Sequence, residues 1–297
     1  MGSLIDLHIH TNCSDGALSP KEIIDEAVKN GVKVISIADH DTTEAYSQDL
    51  FDYAKSKSIK IINGVEISTK IKKAGIHVLG YNFDLNNEDL KNKLLSLRNA
   101  RHDYLNNVAS KLRELGYVIN VEELNKIDAV TKAHIALDVV KNEKNATILL
   151  RNFNHIPDKG EFIETVMNEG CPAYVKKETI TPKEAAELIR KAGGKVVLAH
   201  PVAYRYEDNL NEEDILALVN EMQPDGIEAN YIYIDRNNRK INEINIWNAF
   251  AKKHNLNVTI GSDFHNKDGI HPEIGLPNEE LKLSNEDMEN IIKNFSH

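Results

Sequence analysis

Histidines and carboxylates recur at the ends of short apolar runs in this 297-residue chain, and that placement is what could do chemistry. The first run reads Asp6-Leu7-His8-Ile9-His10. Alternate residues of a strand face the same side, so His8 and His10 are expected to project together. Asp15 follows in the loop Cys13-Ser14-Asp15-Gly16. Later runs end in Asp39-His40-Asp41, in Gly64-Val65-Glu66, in Ala199-His200-Pro201 and in Gly261-Ser262-Asp263-Phe264-His265, while two others carry His77 and Glu228. Any one of these histidines, taken alone, reads better as a structural residue. Together they form a metal-binding pattern, because imidazole is the commonest metal ligand. Carboxylates at the tips of apolar strands are also costly unless cations or hydrogen bonds compensate them. Nitrogen and oxygen donors without thiolate suit Mn, Fe or Zn.

The elements that must position these groups are legible in outline. Seven apolar, β-branched runs cover 4–9, 34–38, 59–67, 76–81, 196–199, 226–229 and 258–260. Most are continuous rather than alternating, as in parallel strands covered on both faces. Ser19-Pro20-Lys21-Glu22 is a capping box with proline at the first helical position, opening a helix that closes near Asn30-Gly31. Thr181-Pro182-Lys183-Glu184 repeats the device and runs to Gly193-Gly194. Further helices are expected after Asn211 and over about 236–254. Strand alternating with helix predicts an α/β fold with a parallel sheet, its ligands gathered at the C-terminal strand ends where barrels place active sites. Between Tyr81 and Val196 only helix-like segments occur, at 90–115, 132–141 and 161–169, which reads as a helical insertion.

Composition narrows the function classes. A hydrophobic fraction of 41% with 28% charged residues is that of a well-cored globular protein, and the net charge of -10 argues against a broad grip on long nucleic acid. It leaves room for a small phosphorylated substrate, since bound cations invert the local charge. The two cysteines, Cys13 and Cys171, form no CxxC pattern and read as free thiols. No apolar run reaches membrane-helix length, the opening residues carry no leader pattern, and cytoplasm is the expected compartment. Neither a P-loop nor a GxSxG elbow is present.

Asp6-x-His8-x-His10, Ser14-Asp15-Gly16, Ala38-Asp39-His40-Asp41, Gly64-Val65-Glu66-Ile67-Ser68, Leu198-Ala199-His200-Pro201 and Gly261-Ser262-Asp263-Phe264-His265 together resemble the signature of the PHP (polymerase and histidinol phosphatase) superfamily. Within it the chain is most similar to stand-alone nucleoside 3',5'-bisphosphate phosphatases and 5'-3' exoribonucleases. The resemblance implies a distorted (β/α)7 barrel from residues 1–84 and 170–297, with a helical insertion at 85–169 that contributes to substrate recognition. It implies two or three divalent ions (Mn, Fe or Zn). His8, His10, Glu66 and Asp263 would hold the first, Glu66, His77 and His200 the second, and Asp15, His40 and His265 the third, where some relatives have histidine in place of Asp15. Catalysis would run through the metals held by His8, His10, Glu66, His200, Asp263 and His265, with activated hydroxide attacking phosphorus. Asp6, Asp39, Asp41 and Glu228 are read as groups that orient the ligating imidazoles. Arg98, Arg101, Lys132, His134, Tyr174 and Lys176 are the candidates for binding a small nucleotide, or short RNA, and no obligate protein partner is indicated. Relatives usually carry arginine at the position of Lys132, and lysine lacks its bidentate fork. Phosphomonoester hydrolysis on nucleotides leads. A 5'-3' exonuclease, a histidinol phosphate phosphatase and a non-catalytic metal-binding module are the alternatives.

Overall fold

In a computed structural model of the chain, the structure describes residues 4–72, 74–125, 127, 130–176, 179–235, 237–275 and 285–296, without the side chains of Arg101, His102 and Asn285. Ten strands are described, named here in chain order: β1 Ile5–Ile9, β2 Val34–Ile37, β3 Lys60–Ile61, β4 Gly64–Ile71, β5 Ala74–Tyr81, β6 Lys195–Leu198, β7 Gly226–Asn230, β8 Ile232–Ile234, β9 Lys240–Asn242 and β10 Asn257–Ile260. They lie in a parallel sheet ordered β1-β2-β3, a five-stranded sheet ordered β10-β7-β6-β5-β4, and the hairpin β8-β9. Single bridges join Ile9 to Phe264 and His40 to Glu66. The fold is mixed α/β, and among the described residues the strands do not form one continuously hydrogen-bonded barrel.

The expectation of an all-parallel sheet needs correction. β5 runs antiparallel to both β4 and β6. Only two residues separate β4 from β5, far fewer than the dozen or so a parallel crossover needs. His77 therefore sits within β5 rather than at a C-terminal strand end. Similarly, the segment expected to be helical from 236 begins with β9, and its helix covers only Ile244–Lys253.

Two strands gain a residue on their neighbours. From Asp6↔Ile35 to Ile9↔Ile37, β1 advances three residues while β2 advances two. From Val258↔Ile227 to Ile260↔Asn230, β7 advances three while β10 advances two. Such bulges bend a strand and re-aim its side chains.

The capping boxes form as read. Ser19 and Glu22 close the N-terminus of the helix Pro20–Lys29, and Thr181 and Glu184 that of Pro182–Lys191. No described helix is long and apolar enough to cross a membrane. The chain divides into two compact units, Met1–Leu95 with Thr179–His297, and Ser96–Glu178. The first holds the described strands above. Its apolar interior includes Ile9, Ile35, Ile37 and Phe264 in one cluster, and Leu7, Tyr81, Val197 and Ile260 in another. The second is helical, with a core of Leu105, Val108, Leu112, Ile135, Leu149 and Phe162.

Candidate metal centre

β1 delivers His8 and His10, both fully buried, with their Nε2 atoms 3.1 Å apart. Glu66, the third residue of β4 and equally buried, lies among them. Its Oε2 is 3.3 Å from His8 Nε2, 3.3 Å from His10 Nε2 and 3.1 Å from His40 Nδ1. Its Oε1 is 3.0 Å from His77 Nδ1 and 3.2 Å from His200 Nε2. Asp263 Oδ1 adds contacts of 3.4 Å to His8 Nε2 and 3.1 Å to His10 Nε2. Asp15 stands 3.4 Å from His10 Nδ1, 3.4 Å from His265 Nε2 and 3.7 Å from His40 Nε2. All nine residues expected as ligands thus lie in one cluster. Three groups in it could each hold an ion: His8, His10, Glu66 and Asp263; His10, Asp15, His40 and His265; and His40, Glu66 and His77. The ligand atoms of Glu66, His77 and His200 also lie within 3.3 Å of one another.

Proton bookkeeping tests whether cations fit. His8 Nδ1 lies 3.0 and 3.1 Å from the two oxygens of Glu228, so that nitrogen carries the proton. That leaves His8 Nε2 to face Glu66 Oε2, Asp263 Oδ1 and His10 Nε2, where it can take a proton or a cation. His265 repeats the arrangement. Its Nδ1 donates to the carbonyl of Asp263 at 2.9 Å, which turns Nε2 toward Asp15. Buried Nδ1 of His10, Nδ1 of His40 and Oε2 of Glu66 make close contacts but no well-aligned hydrogen bond. Buried carboxylates crowded among these nitrogens require added positive charge, carried by protons or by metal ions. Two donors held about 2.1 Å from one ion at the tetrahedral angle would sit about 3.4 Å apart, close to the spacings found here. The residues fit divalent cations.

The electrostatics agree. Burial opposes ionisation of Glu66, yet the imidazoles of His77, His8 and His40 hold its carboxyl well below the usual range. Asp263 behaves alike, with burial outweighed by His8, His10 and His265. Burial works against charge on His10 too, but Asp263 and Glu66 draw it up to about 10. His40 goes the other way, pushed well below the ordinary imidazole value by burial. Protons collecting on buried imidazoles stand in for the cations the carboxylates attract.

Of the four acids expected to orient imidazoles, Glu228 does so at His8 and also accepts from the His200 backbone N–H at 2.9 Å. Asp39 instead accepts from Thr11 N–H, Thr11 Oγ1 and Ser14 Oγ at 2.7, 2.6 and 2.6 Å, fixing the loop that presents Asp15. Asp6 accepts from the backbone of His8, Ser262 and Gly275, tying β1 to the segment after β10. Asp41 accepts from Ser68 N–H at 2.9 Å. Asp41 and Asp263 both hold left-handed backbones, φ 51° and 53°. Aspartate tolerates that region better than most residues, and such conformations gather at functional sites. Gly261 is needed for space: a Cβ there would lie against His8 Cβ and Glu228 Oε1. The centre is closed beneath His8, His10 and Glu66 and open at His77 and His265, whose side chains are each 32% exposed.

The substrate candidates all belong to the unit Ser96–Glu178. Lys132 Nζ donates to Asn168 Oδ1 at 3.1 Å and stands 5.9 Å from the centre of the Tyr174 ring. His134 is occupied as a capping residue, with its Nδ1 3.3 Å from the Thr131 backbone nitrogen. Lys176 is exposed and Arg98 half-buried; the Arg101 side chain lies outside the described residues. Tyr231 and Tyr204 were not foreseen as site residues. Tyr231 OH donates to Asp263 Oδ2 at 3.2 Å, and Tyr204 OH accepts from His77 N–H at 2.8 Å.

This cluster is one that could hold divalent ions on a mixed α/β fold. The PHP domain family matches residues 6–193, and the chain belongs to that family. A 5'-3' exoribonuclease of Haemophilus influenzae is 31% identical over 88% of this chain and 89% of its own length. A 3',5'-nucleoside bisphosphate phosphatase of Chromobacterium violaceum is 26% identical over 88% and 87%. A solved structure from the same organism, described as an amidohydrolase with bound sulfate and no metal, covers 91% of this chain and 90% of its own at 25% identity, with a TM-score of 0.66. The chain is a hydrolase of the phosphoric-ester class that these curated relatives share.

Proposed function

We propose that the chain is a phosphomonoesterase acting on nucleotides, with nucleoside 3',5'-bisphosphates the leading substrate class. Two or three divalent ions would be held by His8, His10, Asp15, His40, Glu66, His77, His200, Asp263 and His265. The observation that carries this reading is Glu66, one buried carboxylate with both oxygens 3.0–3.3 Å from nitrogens of five histidines. An isolated carboxylate so placed serves no packing purpose; one shared by neighbouring cations does. When bound, such ions polarise phosphoryl oxygens and lower the pKa of water.

The chain's own residues supply the rest. Glu228 fixes the ring of His8 so that Nε2 faces inward. The buried floor excludes bulk water, which strengthens every charge interaction above it. His77 and His265 leave the open side free for a phosphoryl group. The bridges Ile9↔Phe264 and His40↔Glu66 support reading the strands as a distorted seven-stranded barrel joined at its ligand-bearing end. Residues 85–169 are proposed as the insertion that selects substrate, a role supported by Lys132 held beside Asn168 and Tyr174.

A second reading, 5'-3' exonuclease action on short RNA, is favoured by the 31% identity to the Haemophilus influenzae exoribonuclease. The test is phosphate or nucleotide release from adenosine 3',5'-bisphosphate, AMP, histidinol phosphate and a 5'-phosphorylated short RNA by Mn-supplemented protein, with His8→Ala as control. Bisphosphate turnover that the control loses by about a thousandfold or more supports the proposal. RNA turnover alone transfers it to the second reading, histidinol phosphate turnover alone to a histidinol phosphate phosphatase. Silence across the panel with Mn bound would move the weight to a phosphoester outside the panel or to a non-catalytic metal module.

A further inference from the structure

β7 enters the metal centre through Glu228, so strict alternation would turn Ala229 and Tyr231 away from it. The extra residue that β7 gains on β10 between Ile227 and Asn230 breaks the alternation. Tyr231, the residue just past the end of β7 and three positions beyond Glu228, comes to the same centre. Its hydroxyl donates to Asp263 Oδ2 at 3.2 Å, while Asp263 Oδ1 is turned to His10 Nε2 and His8 Nε2 at 3.1 and 3.4 Å. Its ring also packs on His200, with centroids 5.4 Å apart at 44°. Asp263 needs such a brace: its side chain is 19% exposed and its backbone is left-handed, held from below by its own N–H donating to His8 O at 2.8 Å.

We propose that Tyr231 is a positioning residue that locks the Asp263 carboxylate with a single oxygen, Oδ1, turned toward His8 and His10. A carboxylate free to rotate would share its charge between orientations, and two of its oxygens would compete for the same space. With Oδ2 capped by the phenol, one oxygen is committed to the cluster. Outer hydrogen bonds of this kind typically change metal affinity about 10–100-fold when removed. The inference rests on the metal-centre reading above.

Tyr231→Phe removes the hydroxyl and keeps the ring on His200. The probe is Mn(II) alone, titrated into metal-stripped full-length protein and followed by the electron paramagnetic resonance of free Mn(II), with thermal unfolding of the stripped protein alongside. The expected result is Mn(II) affinity weaker by about 10–100-fold with the unfolding midpoint of the stripped protein nearly unchanged. Tyr233→Phe, which removes a hydroxyl bonded to Glu207 at 2.9 Å, should leave Mn(II) affinity as in the parent. Parent-like affinity in Tyr231→Phe overturns the proposal, as does an equal loss in Tyr233→Phe. If Tyr231→Phe is too unstable to titrate, hydrogen exchange comparing Tyr231→Leu with and without saturating Mn(II) decides. Protection around Asp263 restored by the ion supports a positioning role; loss spread over the whole unit regardless of the ion overturns it. A parent protein that binds no Mn(II) sinks the metal-centre reading itself.

Discussion

A single proton on His8 Nδ1 determines what the rest of the centre can do. Glu228 holds it with both oxygens, at 3.0 and 3.1 Å, and so turns Nε2 toward Glu66 and Asp263. Replacing Glu228 with glutamine keeps the volume and removes the charge that makes this nitrogen a dependable donor. Glu228→Gln should weaken Mn(II) binding about 10–100-fold, measured by titration of the stripped protein. An unchanged affinity would mean that packing alone sets the ring. At this scale the sequence was highly legible. Strand periodicity paired His8 with His10, the family resemblance grouped them with Glu66 and Asp263, and the four lie together. Tyr231 was hidden, since its position three after Glu228 violates the periodicity used to find the others. The roles of Asp6 and Asp39 were hidden for another reason: both bind backbone or hydroxyl groups, and nothing in a residue's type reveals which partner it will take.

Elements were read unevenly. Capping boxes at Ser19 and Thr181 are local chemistry, fully contained in four residues, and both form as expected. Each satisfies backbone N–H groups that the first helical turn leaves without partners. Ser19→Ala and Thr181→Ala should each cost about 1 kcal/mol in chemical denaturation, with Mn(II) affinity unaltered. A cost near zero would show that neighbouring contacts, not the cap, hold the helix start. The hairpin of β4 and β5 was missed because Ser68-Thr69-Lys70-Ile71 is polar enough to read as a loop, although β4 extends through it to Ile71. Its antiparallel pairing moves His77 off the end of a strand while still bringing it to Glu66. Strand direction is decided by the length of a connection, and that length is known only once both strand ends are. The extra residues in β1 and β7 are harder still, because a bulge exists only relative to a partner strand.

At the scale of the whole molecule, all nine proposed ligands lie in the unit of 1–95 and 179–297, and the helical unit has a core of its own. Phe162 is fully buried there, edge-on to Tyr117 with ring centroids 5.2 Å apart. Phe162→Ala should destabilise the helical unit by about 3–5 kcal/mol in urea. Mn(II) affinity should stay at the parent value, and a fall in it would show that the ion site depends on the helical unit. The order of residues along the chain adds a constraint of its own during synthesis. His8, His10, Asp15, His40, Glu66 and His77 leave the ribosome before the helical unit, while His200, Asp263 and His265 leave after it. The nascent chain thus carries the acidic centre of the cluster, Glu66, through translation of the entire helical segment before Asp263 can join it. Helices close locally and fast, whereas pairing β1 with the segment after β10 must wait until Phe264 has been made. The ion site cannot be finished until the whole helical unit has been made.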